Sequence, residues 1–149
     1  MFCVFCEIIA GKLPSHKVWE DGNHFAFLGI FPNTKGMTIV VPKKHVSSYI
    51  FDVPEAVASD LFSAARIVAK ILDKKLSTNM RTALVFEGFG VDHLHAKLYP
   101  LHGEKGKWKL MEQKIDKFFE KYEGYVSTHE YDRADDKELA KLAKQLRNE

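Results

Sequence analysis

Residues 18–28 read Val18-Trp19-Glu20-Asp21-Gly22-Asn23-His24-Phe25-Ala26-Phe27-Leu28, and this stretch decides the fold class. Two β-rich runs flank Asp21-Gly22-Asn23, a turn signal of the kind that reverses a chain between antiparallel strands. Outward from it, Met37–Val41 is another β-rich run, ended by Pro42, and residues 4–10 are long enough for one or two helical turns closed by Gly11. Further on, Asp52-Val53-Pro54-Glu55 reads as a helix start with Asp at the cap and Glu three residues later. Val57, Leu61, Ala64, Ala65, Val68 and Leu72 then recur at helical spacing, which predicts a long helix to about Lys75. Thr82–Phe86 is a further strand, and Gly88-Phe89-Gly90 a tight connection. Residues 92–99 alternate, with Leu94, Ala96 and Leu98 to one side and His93, His95, Lys97 and Tyr99 to the other. Strands in short-turn pairs, interrupted by one long helix, favour an antiparallel α+β domain over a doubly wound parallel sheet.

Composition bounds the function classes. The 149 residues fit one domain with an appendage, and 46% hydrophobic content with 11 Phe supports a real core. The balance of 22 basic against 20 acidic residues argues against a nucleic-acid polymer as partner. No apolar run approaches the roughly 18–20 residues a membrane span needs, and the N-terminal MFCVFCEIIAGK has no basic region of the signal-peptide type. A cytoplasmic location is the expectation, with thiols kept reduced. Composition shifts near residue 103: residues 104–149 carry 11 Lys/Arg and 11 Asp/Glu. The expected division is therefore a core domain, 1–103, and a charged, mostly helical extension, 104–149. In the extension Met111, Ile115, Phe118, Phe119 and Tyr122 form one helical stripe. Asp135 with Glu138 caps a last helix carrying Leu139, Leu142 and Leu146.

Three features carry chemistry. The run His93-Leu94-His95-Ala96-Lys97 places three basic side chains on one strand face, an anion-binding layout in which imidazole can serve as nucleophile and Lys as a phosphate charge. An ordinary solvated strand face is the competing reading, as is an H-x-H pair gripping a catalytic metal. Cys3-x-x-Cys6 is open between a redox pair, half of a metal site and two buried small residues. Zinc would need two more ligands, and His16, His24, His45, His93, His95, His102 and His129 are all available. Gly88 and Gly90 can turn backbone N–H groups toward phosphate oxygens, or simply make a turn.

Taken together, the run from Phe27 through Pro42-Lys43-Lys44-His45, the H-x-H run at His93-Leu94-His95-Ala96-Lys97-Leu98-Tyr99-Pro100, and the leading Cys-x-x-Cys resemble the histidine triad (HIT) family over residues 2–100. The resemblance implies a five-stranded antiparallel meander, usually a homodimer, and a nucleotide hydrolase, phosphoramidase or nucleotidyl transferase acting at the α-phosphorus. The middle histidine, here His95, would attack phosphorus to give a nucleotidyl-histidine that water then cleaves. In zinc-bearing members a structural ion sits on the two N-terminal cysteines, the histidine after Pro-Lys-Lys and the first triad histidine; Cys3, Cys6, His45 and His93 match all four. Val4, Phe5, Ile8, Phe27, Leu28 and Ile30 fall at apolar base-pocket positions, with plain core as the alternative.

The chain also departs from that pattern. Lys97 stands at the third triad position, where it can clamp phosphate but is a poor proton shuttle, its reference pKa being about 10.4. Gly29 stands where a ribose-holding Asp is usual, Met37 replaces a frequent His, and Glu87 aligns loosely with an Asn. The segment before the triad is shortened to Phe89-Gly90-Val91-Asp92. The alternatives to an enzyme are a nucleotide- or phosphate-binding dimeric module and a thiol redox protein. His102 is an outside candidate for proton transfer, Tyr125–His129 for a segment near the pocket, and His16 and His24 read as surface residues.

Overall fold

The computed structural model describes residues 2–76, 79–103, 108, 110, 117–127, 132–137, 139 and 142, with backbone alone at 79 and 80. The chain divides into two compact units, Met1–Lys107 and Trp108–Glu149. In the first, α1 (Val4–Ile9) precedes β1 (Lys17–Glu20), β2 (His24–Leu28) and β3 (Thr38–Pro42). A long helix α2 (Glu55–Lys75) then leads to β4 (Asn79–Val85) and β5 (Ala96–His102). All pairings are antiparallel, and the strand order is β1-β2-β3-β5-β4. The five-stranded antiparallel α+β architecture is the expected one. Its order is not a simple meander, because the 21-residue α2, about 31 Å long at 1.5 Å per residue, carries the chain past the place that β5 later fills.

Local chemistry explains the elements. Asp21 turns the first hairpin: its Oδ1 accepts the N–H groups of Asn23 and His24 at 2.8 and 2.6 Å, as Asx turns do. The same carboxylate faces His24 Nδ1 at 3.2 Å, and His24 is buried at 6% exposure. It is thus not the surface residue expected from its polarity. The start of α2 also differs from expectation. Pro54, not Asp52, is the N-cap, and its carbonyl accepts from Val57 and Ala58. Its φ of −55° is already suitable for entering a helix, while Glu55 supplies the acidic first turn.

Each face of the sheet is covered, because alternation sends neighbouring residues to opposite sides. On one face Leu61, Ala64, Ala65, Val68 and Leu72 of α2 pack on Ala26, Val40, Leu94, Ala96 and Leu98. On the other, Phe5 of α1 packs with Phe25, Phe27 and Val41, flanked by Val4, Ile8 and Ile39. Residues 93–98 therefore alternate between faces as the sequence implies. The histidine side is not solvated, however: His93 is 0% and His95 3% exposed. Nor does the strand reach back to residue 92. Before Ala96 the chain bends, with His93 N–H bonded to Val91 O and Leu94 N–H to Val46 O rather than to a sheet neighbour.

In the second unit the expected stripe helix is absent over its described part. Phe118, Phe119 and Tyr122 lie in irregular chain, which folds back so that Phe119 and Tyr125 meet edge to face at 5.6 Å and Lys117 pairs with Glu123 at 2.5 Å. Gly124, at φ 87°, supplies the reversal. Met111 and Ile115 lie outside the described residues. Asp136, Lys137, Leu139 and Leu142 are helical, and Asp135 Oδ1 accepts the Lys137 N–H at 2.9 Å as a cap; Glu138 and Leu146 lie outside the described residues.

Candidate active site and metal-ligating cluster

Four side chains from three separate parts of the chain converge. Cys3 and Cys6 flank the first turn of α1, His45 follows β3, and His93 sits in the bend before β5. Their ligand atoms all lie within 4.8 Å of one another. Cys3 Sγ is 3.4 Å and Cys6 Sγ 3.5 Å from His93 Nδ1, and Cys6 Sγ is 3.5 Å from His45 Nδ1. Around a tetrahedral ion with metal–sulfur and metal–nitrogen bonds of about 2.3 and 2.05 Å, sulfur and nitrogen would stand about 3.5 Å apart. The geometry therefore fits such a group.

Proton placement points the same way. His93 Nε2 lies 2.8 Å from the Pro42 carbonyl oxygen, which can only accept, so that nitrogen carries the proton. The Nδ1 lone pair is left facing two sulfurs at nearly equal distance, and a carbonyl behind a ligating imidazole is the usual way such a ring is oriented. Desolvation, followed by the neighbouring Cys3, pushes the Cys6 thiol upward. A cation at the centre would reverse that effect and hold both sulfurs as thiolates. The two cysteines are not joined in a disulfide.

His95 lies beside this cluster but is not part of it. Its Nδ1 is 2.7 Å from the carbonyl oxygen of His93, so Nδ1–H donates and the lone pair is on Nε2. Among the described residues the metal-capable cluster takes His93 and not His95. The H-x-H pair thus does not grip one ion, because each ring is turned by a different carbonyl. Phe5 touches both rings edge-on, with centroids 5.9 Å from His93 and 5.5 Å from His95. Burial holds His95 below the ordinary histidine range, the Lys97 ammonium adding to the effect, while the His93 carbonyl and the Glu87 carboxylate oppose it. The ring is neutral at pH 7, with a nucleophilic nitrogen to offer.

Lys97 forms an ion pair with Glu87. The sequence offered Glu87 only as a loose counterpart of a missing Asn. Its pairing has no local signal, because it arises from Lys97 lying opposite Val85 in the β4–β5 register, two residues before Glu87. Gly88 and Gly90 both adopt left-handed φ, 76° and 90°. The Gly88 carbonyl accepts from Ser48 Oγ at 2.9 Å, and Asp92 accepts from Ser48 N–H at 3.0 Å, which anchors this loop.

The six apolar positions separate into two kinds. Phe5 and Phe27, 6% and 4% exposed, are core residues in edge-to-face contact at 5.5 Å. Val4 and Ile8 are half-buried over them, and Leu28 and Ile30 are exposed. Val4 also lines a shallow cavity of about 220 Å³ with Phe2, Cys3, His45, Gly90, Val91 and Asp92. At Gly29, a Cβ would stand 2.6 Å from Met37 Cε. Met37 thus fills the space that a longer residue at 29 would claim, and the two departures form one packing unit. His102 does not serve His95: it ends β5, its Nε2 is on the Lys35 carbonyl at 2.7 Å, and the six strand residues between them, at about 3.3 Å each, hold the two apart. Tyr125–Ser127 belong to the second unit, and Thr128 and His129 lie outside the described residues.

Known proteins resemble this chain in sequence and in fold. An uncharacterized HIT-like protein of Mycobacterium tuberculosis is 37% identical over 110 residues, covering 70% of this chain and 76% of its own. The adenosine 5′-monophosphoramidase of Saccharomyces cerevisiae is 30% identical over 119 residues, covering 77% and 75%. The crystal structure of a HIT family member from Bacillus subtilis superposes with a TM-score of 0.66 at 25% identity, over 99% of this chain and 96% of that one. The HIT domain profile matches residues 10–103, the stretch that holds the sheet, His45 and the histidine bend, and this chain therefore belongs to the HIT family.

Proposed function

We propose that the protein is a hydrolase, or nucleotidyl transferase, acting at the α-phosphorus of a nucleotide-derived substrate through a nucleotidyl-histidine on His95. The observation that carries this reading is the His95 ring: buried, neutral, and turned by the His93 carbonyl so that Nε2 holds the lone pair. In the first step that lone pair bonds to phosphorus, and the bond to the leaving group breaks with its electron pair. In the second, water oxygen bonds to phosphorus, the P–Nε2 bond breaks, and His95 recovers its lone pair; the proton gained by the leaving group is balanced by the one that water gives up. Lys97 supplies positive charge to the transferring group, and Gly88 and Gly90 turn backbone N–H groups toward it. Charge stabilisation of this kind is the main term in such transfers. Similarity to an adenosine 5′-monophosphoramidase supports a P–N or related substituted phosphate as substrate. Val4, Ile8, Leu28 and Ile30, backed by Phe5 and Phe27, offer the apolar surface for a base.

In this reading Cys3, Cys6, His45 and His93 hold a zinc ion. Four-coordinate and closed, it supplies no catalysis and ties α1 to the ends of β3 and β5. We place the protein in the cytoplasm, in keeping with its two unpaired thiols and with no described helix long and apolar enough to cross a membrane. We expect a homodimer.

The test is intact-mass spectrometry after mixing the protein with adenosine 5′-phosphoramidate. A transient increase of one adenylyl group that His95→Asn abolishes is expected. Full turnover by His95→Asn would sink the mechanism, and binding without turnover by the wild type would leave a nucleotide-binding module.

A further inference from the structure

The charge next to His95 is not simply positive. Lys97 reaches the site from β5, between Ile39 of β3 and Val85 of β4, and its ammonium is paired with the Glu87 carboxylate. Both side chains are largely withdrawn from solvent, at 21% and 10% exposure. The charges acting on the His95 ring are those of Lys97 and Glu87, with opposite signs. The ground beside the nucleophile is therefore close to neutral, with a carboxylate held where added negative charge would gather.

Phosphorus carrying a nucleoside and a second substituent bears one negative charge. The monoester left after hydrolysis bears nearly two at pH 8, its second pKa being about 6. A lysine unopposed by a carboxylate would hold the product more tightly than the substrate. With Glu87 in place, the additional charge of the product meets repulsion. Across about 6–10 Å at an effective dielectric near 20, one such charge is worth one to two powers of ten in affinity.

We propose that Glu87 is a specificity residue that restricts the site to singly charged, disubstituted phosphorus and expels the doubly charged monoester product. The proposal rests on His95 being the phosphorus-attacking group, as argued above. It assigns Glu87 a role that a merely structural partner of Lys97 would not have, because its effect depends on ligand charge and not on ligand size.

Calorimetry at pH 8 with two non-reacting ligands tests it. Adenosine 5′-monophosphate is the dianion, and its 5′-methyl ester is the monoanion, whose methoxide is too poor a leaving group to turn over. The wild type is expected to bind the methyl ester at least as tightly as the monophosphate. Glu87→Gln keeps the shape and an acceptor for Lys97. It is expected to tighten the monophosphate at least tenfold more than it tightens the ester, because the repulsion removed scales with ligand charge. Equal shifts for the two ligands, or a wild type that prefers the monophosphate tenfold, would overturn the proposal and leave His95 untouched. Failure of both ligands to bind either protein would overturn the nucleotide reading of the site and this proposal with it. The wild-type comparison stands by itself if Glu87→Gln does not fold.

Discussion

Replacing His95 by Asn makes the protein less sensitive to acid. His95 is 3% exposed, and burial, the leading cause, holds its pKa below the ordinary value. The unfolded chain titrates at that residue near pH 6.5. Above that pH both states are neutral at residue 95 and the group contributes nothing to the pH dependence. Below it the unfolded state binds a proton that the native state refuses, so stability falls as pH drops. One full proton corresponds to about 1.4 kcal/mol per pH unit. The wild type should thus lose, relative to His95→Asn, an amount approaching about 1.4 kcal/mol for each unit below about pH 6, until the native ring itself protonates. Asn keeps an N–H near the His93 carbonyl and does not titrate. The assay is urea denaturation of both proteins at half-unit steps from pH 7.5 to 5.0, read as the difference between them so that other titrating groups cancel. Zinc is held at one concentration throughout, because metal binding itself varies with pH. A difference constant to within a few tenths of a kcal/mol over that range would refute the buried, neutral ring, and with it the lone pair on which the mechanism depends.

Other perturbations read other parts of the molecule. Cys6→Ser should lower bound zinc from about one ion per chain to well below stoichiometry and reduce the melting temperature; metal analysis and calorimetry would check it, and an unchanged zinc content would remove the four-ligand site. Leu61→Ala, at a fully buried position between α2 and the sheet, should cost about 2–5 kcal/mol in denaturant titrations, whereas Phe62→Ala, at 52% exposure one residue on, should stay within about 0.5 kcal/mol. Gly29→Ala should cost no more than about 1 kcal/mol, because its Cβ meets only the flexible end of the Met37 side chain, which can swing aside. Most of that cost should vanish in a Met37→Ala background, and an additive double-mutant cycle would argue that the two do not share one space.

Some of this was legible one residue type at a time. The Asp21-Gly22-Asn23 hairpin, the stripe of Leu61, Ala64, Ala65, Val68 and Leu72, and the opposite faces of His93/His95 and Leu94/Ala96/Leu98 all follow from periods of 2 and 3.6. Those periods are properties of the local backbone. The extension misled for the same reason. Phe118, Phe119 and Tyr122 sit at helical spacing, but Gly124 and the Phe119–Tyr125 contact fold the segment back on itself, and spacing does not register a contact.

By itself the sequence determined the antiparallel strands and the long helix of the first unit and which side of each is apolar. Tertiary structure alone decided that the histidine side lies under α1 instead of in water. It alone set the tautomer of each ring through the Pro42 and His93 carbonyls, and it placed a carboxylate against Lys97. The reason is physical: propensity and periodicity act over a few residues, whereas burial, proton placement and charge pairing depend on atoms brought together across 10 residues for Lys97 and Glu87 and across 90 for Cys3 and His93.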